Sequence, residues 1–236
     1  MNAKWITAAA VAMGSLSVTG IVGAQEKDHD ASASSSDKLA PARNALELTV
    51  GTGYAQAFGE IGANQPKLTD VGQPGGAVQI GLGYRLVPEL TLGVYGAGST
   101  FSRGDQVDSS TRLYSAAAGV QADWHFLPAA HELDPWVSLG TGWRGYWIDG
   151  DQGTTALHGL ELAKVQVGVD YRIARTVAVS PLIGADLSMF VTESNPATRK
   201  FSNLVDPKVN TFVFAGLIGR FDIPVGAQSS PQVAVR

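Results

Sequence analysis

The feature that most constrains this chain is an alternation of period two that begins at Asn44 and recurs eight times. In Leu46-Glu47-Leu48-Thr49-Val50-Gly51-Thr52-Gly53-Tyr54, mostly apolar even positions alternate with polar or glycine odd ones. A strand sends such positions to opposite faces, whereas a helix would scatter them. The pattern returns in Val78 to Leu86, Leu90 to Phe101, Tyr114 to Phe126, Trp136 to Ile148, Leu162 to Ile173, Val177 to Val191 and Thr211 to Ile223. The chain therefore reads as all-β, with eight strands. Each run is about 10 to 15 residues long, against the usual five or six, and is close to the length of a tilted strand that crosses a bilayer.

The connections alternate in length. Gln56 to Gly76, Ser102 to Ser110, Asp149 to Leu157 and Glu193 to Asn210 are long; Val87-Pro88-Glu89, Leu127 to Asp134 and Ala174-Arg175 are short. Short turns at one end and long loops at the other, with an even strand count, describe an up-and-down antiparallel barrel that spans a membrane. Residue size decides which face is outside. Gly51, Gly53, Gly81, Gly83, Gly119, Gly140, Gly142, Gly168 and Gly184 crowd the polar face, which suits a narrow lumen, while Val, Leu, Ile, Tyr and Trp fill the other. Tyr54, Tyr84, Trp124, Phe126, Trp143, Trp147, Tyr171, Phe190 and Phe221 fall near strand ends, where interfacial girdles are expected.

Composition excludes other classes. The net charge of −4 offers no positive field for nucleic acid. With no Cys there is no disulfide framework, thiolate metal site or Cys nucleophile. After the first 25 residues no apolar run reaches the ~20 of a spanning helix. Residues 1–24, with Lys4, a soft apolar segment from Ile6 to Val22 and the small residues Val22-Gly23-Ala24, read as a secretory signal. Residues 25–43 read as a solvated periplasmic linker, residues 44–223 as the barrel and residues 224–236 as a short tail.

Residues 44–223 resemble the small eight-stranded outer-membrane barrels of the OmpA/OmpX-like type in Gram-negative bacteria. The last strand, Phe214 to Phe221, is similar to the C-terminal assembly signal of that family. Gly216 and Phe221 match it, whereas Phe214 and Gly219 stand where a polar residue and an aromatic are expected. The resemblance implies an outer-membrane location, contact with membrane lipid and lipopolysaccharide, the barrel-assembly machinery as a partner during biogenesis, and a monomer. It carries no activity.

By parity Glu47, Arg85, Asp123, Arg144, Lys164, Asp170, Arg172, Asp186, Arg220 and Asp222 face the lumen, five of each sign. Buried charges have to be paired, so a balanced set in a narrow lumen reads as a salt-bridge plug, with a gated ion path as the alternative. His125 shares that face. Three motifs are set aside. Gly140 to Gly145 fits G-x-G-x-x-G without the strand-to-helix turn that a nucleotide needs; Asp149-Gly150-Asp151 opens like a calcium loop but has Leu160 at its last ligand position; Arg103-Gly104-Asp105 is a bare tripeptide. For an enzyme, the one nucleophile-and-base arrangement to test is His158 with Glu161 near the outer rim. No cofactor is expected. The reading is a non-enzymatic outer-membrane barrel that contributes to envelope integrity or surface interaction, with a narrow pore or small-molecule conduit, or a secreted ligand-binding barrel, as alternatives.

Overall fold

The computed structural model describes residues 44–63, 65–128, 133–194 and 200–225. The expected signal (1–24), linker (25–43) and tail from residue 226 onward lie outside them. Among the described residues nine strands form: β1 Ala45–Phe58, β2 Gly72–Val87, β3 Leu90–Arg103, β4 Arg112–His125, β5 Leu133–Gly150, β6 Gly153–Ala174, β7 Val177–Ser194, the short β8 Phe201–Asn203 and β9 Val209–Pro224. One helical turn, α1, spans Leu68–Val71.

Each long strand pairs antiparallel with its neighbour in sequence, β7 pairs with β9, and β1 pairs with β9 from Ala45↔Pro224 to Phe58↔Thr211. That last ladder closes an eight-stranded up-and-down barrel, with β8 added only as a ribbon on the end of β7. Closure satisfies the backbone hydrogen bonds within the wall, which a strand in lipid requires. No helix among the described residues is long and apolar enough to cross a membrane; the strands are the spanning elements.

The two faces divide as the alternation predicts. Ile183 is 61% exposed and Val167 45% on the outside, with Ile80, Val94, Val120, Leu139 and Leu217 exposed around the same wall. Inside, glycine makes room for specific large side chains. A Cβ on Gly168 would stand 2.6 Å from the Trp136 ring, and one on Gly119 would stand 2.8 Å from the Tyr95 hydroxyl. Gly216, of the expected assembly signal, lies opposite Gly53 on the closing ladder, where a Cβ would meet the Thr52 carbonyl oxygen at 2.3 Å; Phe221 points outward.

Three expectations are corrected. Asp149 to Leu157 is not a long loop, because β5 runs to Gly150 and β6 starts at Gly153, leaving a two-residue turn on a projecting ribbon. The second short turn ends earlier than expected, since β5 begins at Leu133 and takes Asp134 into the wall. Phe190 is no girdle residue: it is fully buried and points inward, on the same parity as Asp186 and Ser188.

Candidate functional site: a three-tier lumen

The interior side chains fall into three layers. At the short-turn end, near the start of β1 and the close of β9, Arg220 is the hub. Its Nη1 donates to Glu47 Oε1 at 2.5 Å and to Asp123 Oδ2 at 3.3 Å, and its Nε donates to Asp170 Oδ1 at 3.1 Å. Arg85 donates to the other Glu47 oxygen, to Asp222 Oδ1 at 3.4 Å and to the Pro88 carbonyl at 3.0 Å. Arg172 donates from Nη1 to Asp222 Oδ2 at 3.0 Å. His125, the last residue of β4, sits 2.8 Å from Asp134 and 3.8 Å from Asp170. All of these groups are essentially without solvent exposure. Charges so far from water persist only in such mutual contact.

The middle layer is built around Arg144. Its Nε and Nη2 donate to Glu161 Oε2 at 3.1 and 2.5 Å, and Nη2 also reaches Asp186 Oδ2 at 2.5 Å. The Tyr95 hydroxyl donates to the second oxygen of Glu161. Lys164 donates to Gln121 Oε1 at 2.8 Å and places its ammonium 3.7 Å from the centre of the Tyr95 ring. Gln79 and Gln166 exchange amide hydrogen bonds of 2.9 and 3.3 Å across the lumen. A void of about 30 Å³ lies between Tyr95, Gln79, Gln166, Arg144 and Asp186, room for one or two waters.

The third layer, at the loop end, is apolar. Phe101, Tyr146, Phe190 and Phe212 pack with ring centroids 5.6 to 6.4 Å apart. Ile61, Leu68 and Val71 of the first loop close over them, so α1 is a lid element with both of its apolar residues buried. The Arg144 guanidinium lies 4.1 Å from the Phe212 ring centre, which ties this stopper to the middle layer. The fourth loop is tethered above by the Leu204 N–H to the Val191 carbonyl at 2.9 Å. On that exposed loop the Asp206 carboxylate accepts from Lys208 at 2.5 Å and raises the ammonium above its ordinary pKa.

The structure brings all ten parity-assigned charges into the lumen but not into one cluster. Glu47, Arg85, Asp123, Asp170, Arg172, Arg220 and Asp222 form the short-turn layer; Arg144, Lys164 and Asp186 belong to the middle one. Two more carboxylates join them, Asp134 and Glu161, so the described lumen is not charge-balanced. Glu161 turns inward because the β5–β6 and β6–β7 ladders shift register around it, from Gly140↔Lys164 to Gly142↔Glu161 and from Ala163↔Leu187 to Glu161↔Ser188. A bulge reverses parity beyond it.

The one enzyme-like pair does not form, because residues three apart on a strand fall on opposite faces. His158 faces outward and stacks on Trp143 at 5.6 Å, with Trp147 and Phe201 beside it, while Glu161 points into the lumen on the opposite side of the wall. Gly140 and Gly142 lie within β5, with no helix following. Asp149 accepts from the Thr154 hydroxyl at 2.7 Å across the hairpin.

A closed antiparallel barrel with bulky apolar residues outside and paired charges inside is a small membrane-spanning β-barrel of the outer-membrane type. No family model and no curated protein matches the chain. Solved structures similar to it include Neisserial surface protein A, at 15% identity and TM-score 0.48, covering 76% of this chain and 97% of that one. OprG from Pseudomonas aeruginosa aligns at 11% identity and TM-score 0.46, over 76% and 98%. AlkL, determined in lipid bilayers, aligns at 9% identity and TM-score 0.49, over 87% and 100%.

Proposed function

We propose that this protein stands in the outer membrane of a Gram-negative bacterium as a closed, non-enzymatic barrel, and that it serves envelope integrity or surface interaction through its wall and outer loops. The observation that carries this reading is the filled lumen. A traversing ion would have to part the Arg220 layer, the Arg144 layer and the aromatic stopper in turn. An eight-stranded barrel leaves an interior only wide enough for side chains, and here those side chains are cross-linked by charge-assisted hydrogen bonds. Membrane lipid and lipopolysaccharide are the partners that the apolar wall fits, and export with assembly by the barrel machinery is its route there.

The pore reading has one observation in its favour, the void beside Asp186, whose side chain is the most exposed member of the ion-pair network at 15%. That void ends beneath the stopper and holds too little water to form a path. Reconstitution of the purified chain in planar bilayers tests the proposal. The expected record is a flat baseline with no steady channels; reproducible unitary conductance would favour the narrow pore instead.

A further inference from the structure

We infer that His125, Asp134 and Asp170 form a site for one divalent transition-metal ion at the short-turn end of the lumen. The three come from the ends of adjacent strands: His125 closes β4, Asp134 is the second residue of β5 and Asp170 lies near the end of β6. One ligand atom from each lies within 4.8 Å of the others. His125 Nδ1 is 2.8 Å from Asp134 Oδ2 and 3.8 Å from Asp170 Oδ2. A tetrahedral ion with bonds of about 2.1 Å sets its ligands about 3.4 Å apart, between those two separations.

Two independent observations point to a cation in this place. The first is an orphan acceptor: Asp170 is fully buried, and its Oδ2, the oxygen facing His125, has no hydrogen-bond partner among the described residues. Its other oxygen is occupied by the Arg220 Nε–H, as the other oxygen of Asp134 is by the Leu127 N–H at 3.0 Å. Each carboxylate is thus already oriented by a donor on its far oxygen and presents the near one to the same point, the arrangement that holds metal ligands in position. The second is charge. Among the described residues of this layer five buried carboxylates, Glu47, Asp123, Asp134, Asp170 and Asp222, face three guanidiniums, Arg85, Arg172 and Arg220. Two negative charges are left over, the charge of one divalent ion. The middle layer, with Arg144 and Lys164 against Glu161 and Asp186, is balanced by itself.

The donor set narrows the ion. One imidazole nitrogen with two carboxylate oxygens suits zinc, manganese or ferrous iron; the imidazole disfavours calcium and magnesium, and with no Cys in the chain there is nothing to select a thiophilic ion. The competing arrangement is a purely organic one, in which His125 keeps its hydrogen bond with Asp134 and Arg172, whose Nε and Nη2 have no acceptor among the described residues, turns to the same carboxylates. It leaves the site with no affinity for metal, so the two are separable.

The test uses the full chain folded in detergent micelles, stripped with a chelator and titrated with zinc. His29, His131 and His158 are replaced by Ala in the reference protein so that other imidazoles do not contribute. Calorimetry is expected to give one ion per barrel, with a rise in unfolding temperature, and cobalt in place of zinc should give a visible d–d band. His125→Gln and Asp170→Asn should each weaken binding by about tenfold or more. Retained heat-modifiable gel mobility shows that each variant barrel is folded. Absence of stoichiometric binding to the folded reference barrel overturns the site, as does binding that survives Asp170→Asn unchanged. The reference titration decides the matter even where a variant does not fold.

Discussion

The guanidinium of Arg220 lies 4.3 Å from the centre of the Trp136 ring while its nitrogens hold Glu47, Asp123 and Asp170. Trp136 is in turn fixed by its indole N–H, which donates to the Ser180 hydroxyl at 2.8 Å, and it occupies the space that Gly168 leaves. One side chain on β9 thus joins carboxylates from β1, β4 and β6 and stacks on an aromatic of β5. Arg is suited to this position because its planar fork donates in several directions while its face stacks.

Arg220→Met keeps most of the volume over Trp136 and leaves three buried carboxylates without their shared donor. Breaking a buried ion pair from one side costs about 3 to 5 kcal/mol, and a loss of that size is expected in reversible unfolding by urea in lipid vesicles. Arg220→Lys, which keeps the charge without the fork, should fall between the two. A loss below about 1 kcal/mol for Arg220→Met would mean that the cluster is wet.

The wall assignment is tested at two adjacent residues. Val167→Arg puts a cation on the lipid face and should cost about 2 to 4 kcal/mol near the bilayer midplane, whereas Val167→Leu should be tolerated, since the side chain is exposed to the apolar medium. Gly168→Leu acts from the other side, because its Cβ alone already falls within 2.6 Å of the Trp136 ring, and overpacking of about 1 to 3 kcal/mol is expected. Unfolding midpoints of the three variants in vesicles check the pair, and a neutral Val167→Arg would mean that β6 is inverted.

Parity located most of the lumen because between bulges a strand obeys it strictly: Glu47, Arg85, Asp123, Lys164 and Arg220 all sit where simple alternation puts them. Glu161 is harder to read, because the alternation changes phase within β6: the outward Leu160 and Leu162 are even and Val165, Val167 and Val169 odd, and which residues the bulge near Ala163 takes up is settled only by pairing with β5 and β7. Asp134 was hidden by its neighbour: Leu133-Asp134-Pro135 looks like a turn, yet β5 starts there. The stopper is not legible in the sequence because Phe190 and Phe212 share the parity of the lumen charges, and an aromatic near a strand end looks the same whether it belongs to a girdle or to a core. Which of the two it joins depends on the first loop folding back over the mouth, a contact that lies more than a hundred residues away in sequence.

Phe190→Ala separates those two roles. A girdle aromatic in lipid headgroups gives up little on truncation, whereas a fully buried one leaves a cavity among Tyr146, Phe212 and Leu157. The expected loss is about 3 to 5 kcal/mol, with increased proteolysis of the first loop because its Leu68 and Val71 rest on the same cluster. Limited digestion of the variant in vesicles, compared with the parent chain, reads the second effect directly.

Arg144 decides whether the lumen is sealed by charge or merely by bulk. It is the only donor described for Asp186, it shares Glu161 with Tyr95, and its guanidinium rests against Phe212 at the base of the stopper. It also lines the void of about 30 Å³ in the middle layer. Arg144→Ala therefore removes the pairing of two carboxylates and enlarges an existing water space toward the loop end. With Lys164 as the one cation left beside them, Glu161 and Asp186 would carry a net negative charge that draws in water and cations. The expected result is lower stability together with a small, cation-selective leak in planar bilayers that the parent chain lacks. Arg144→Lys should recover most of the seal, since one ammonium can still bridge the two carboxylates. A variant Arg144→Ala barrel that stays folded and electrically silent would show that the aromatic stopper alone closes the lumen.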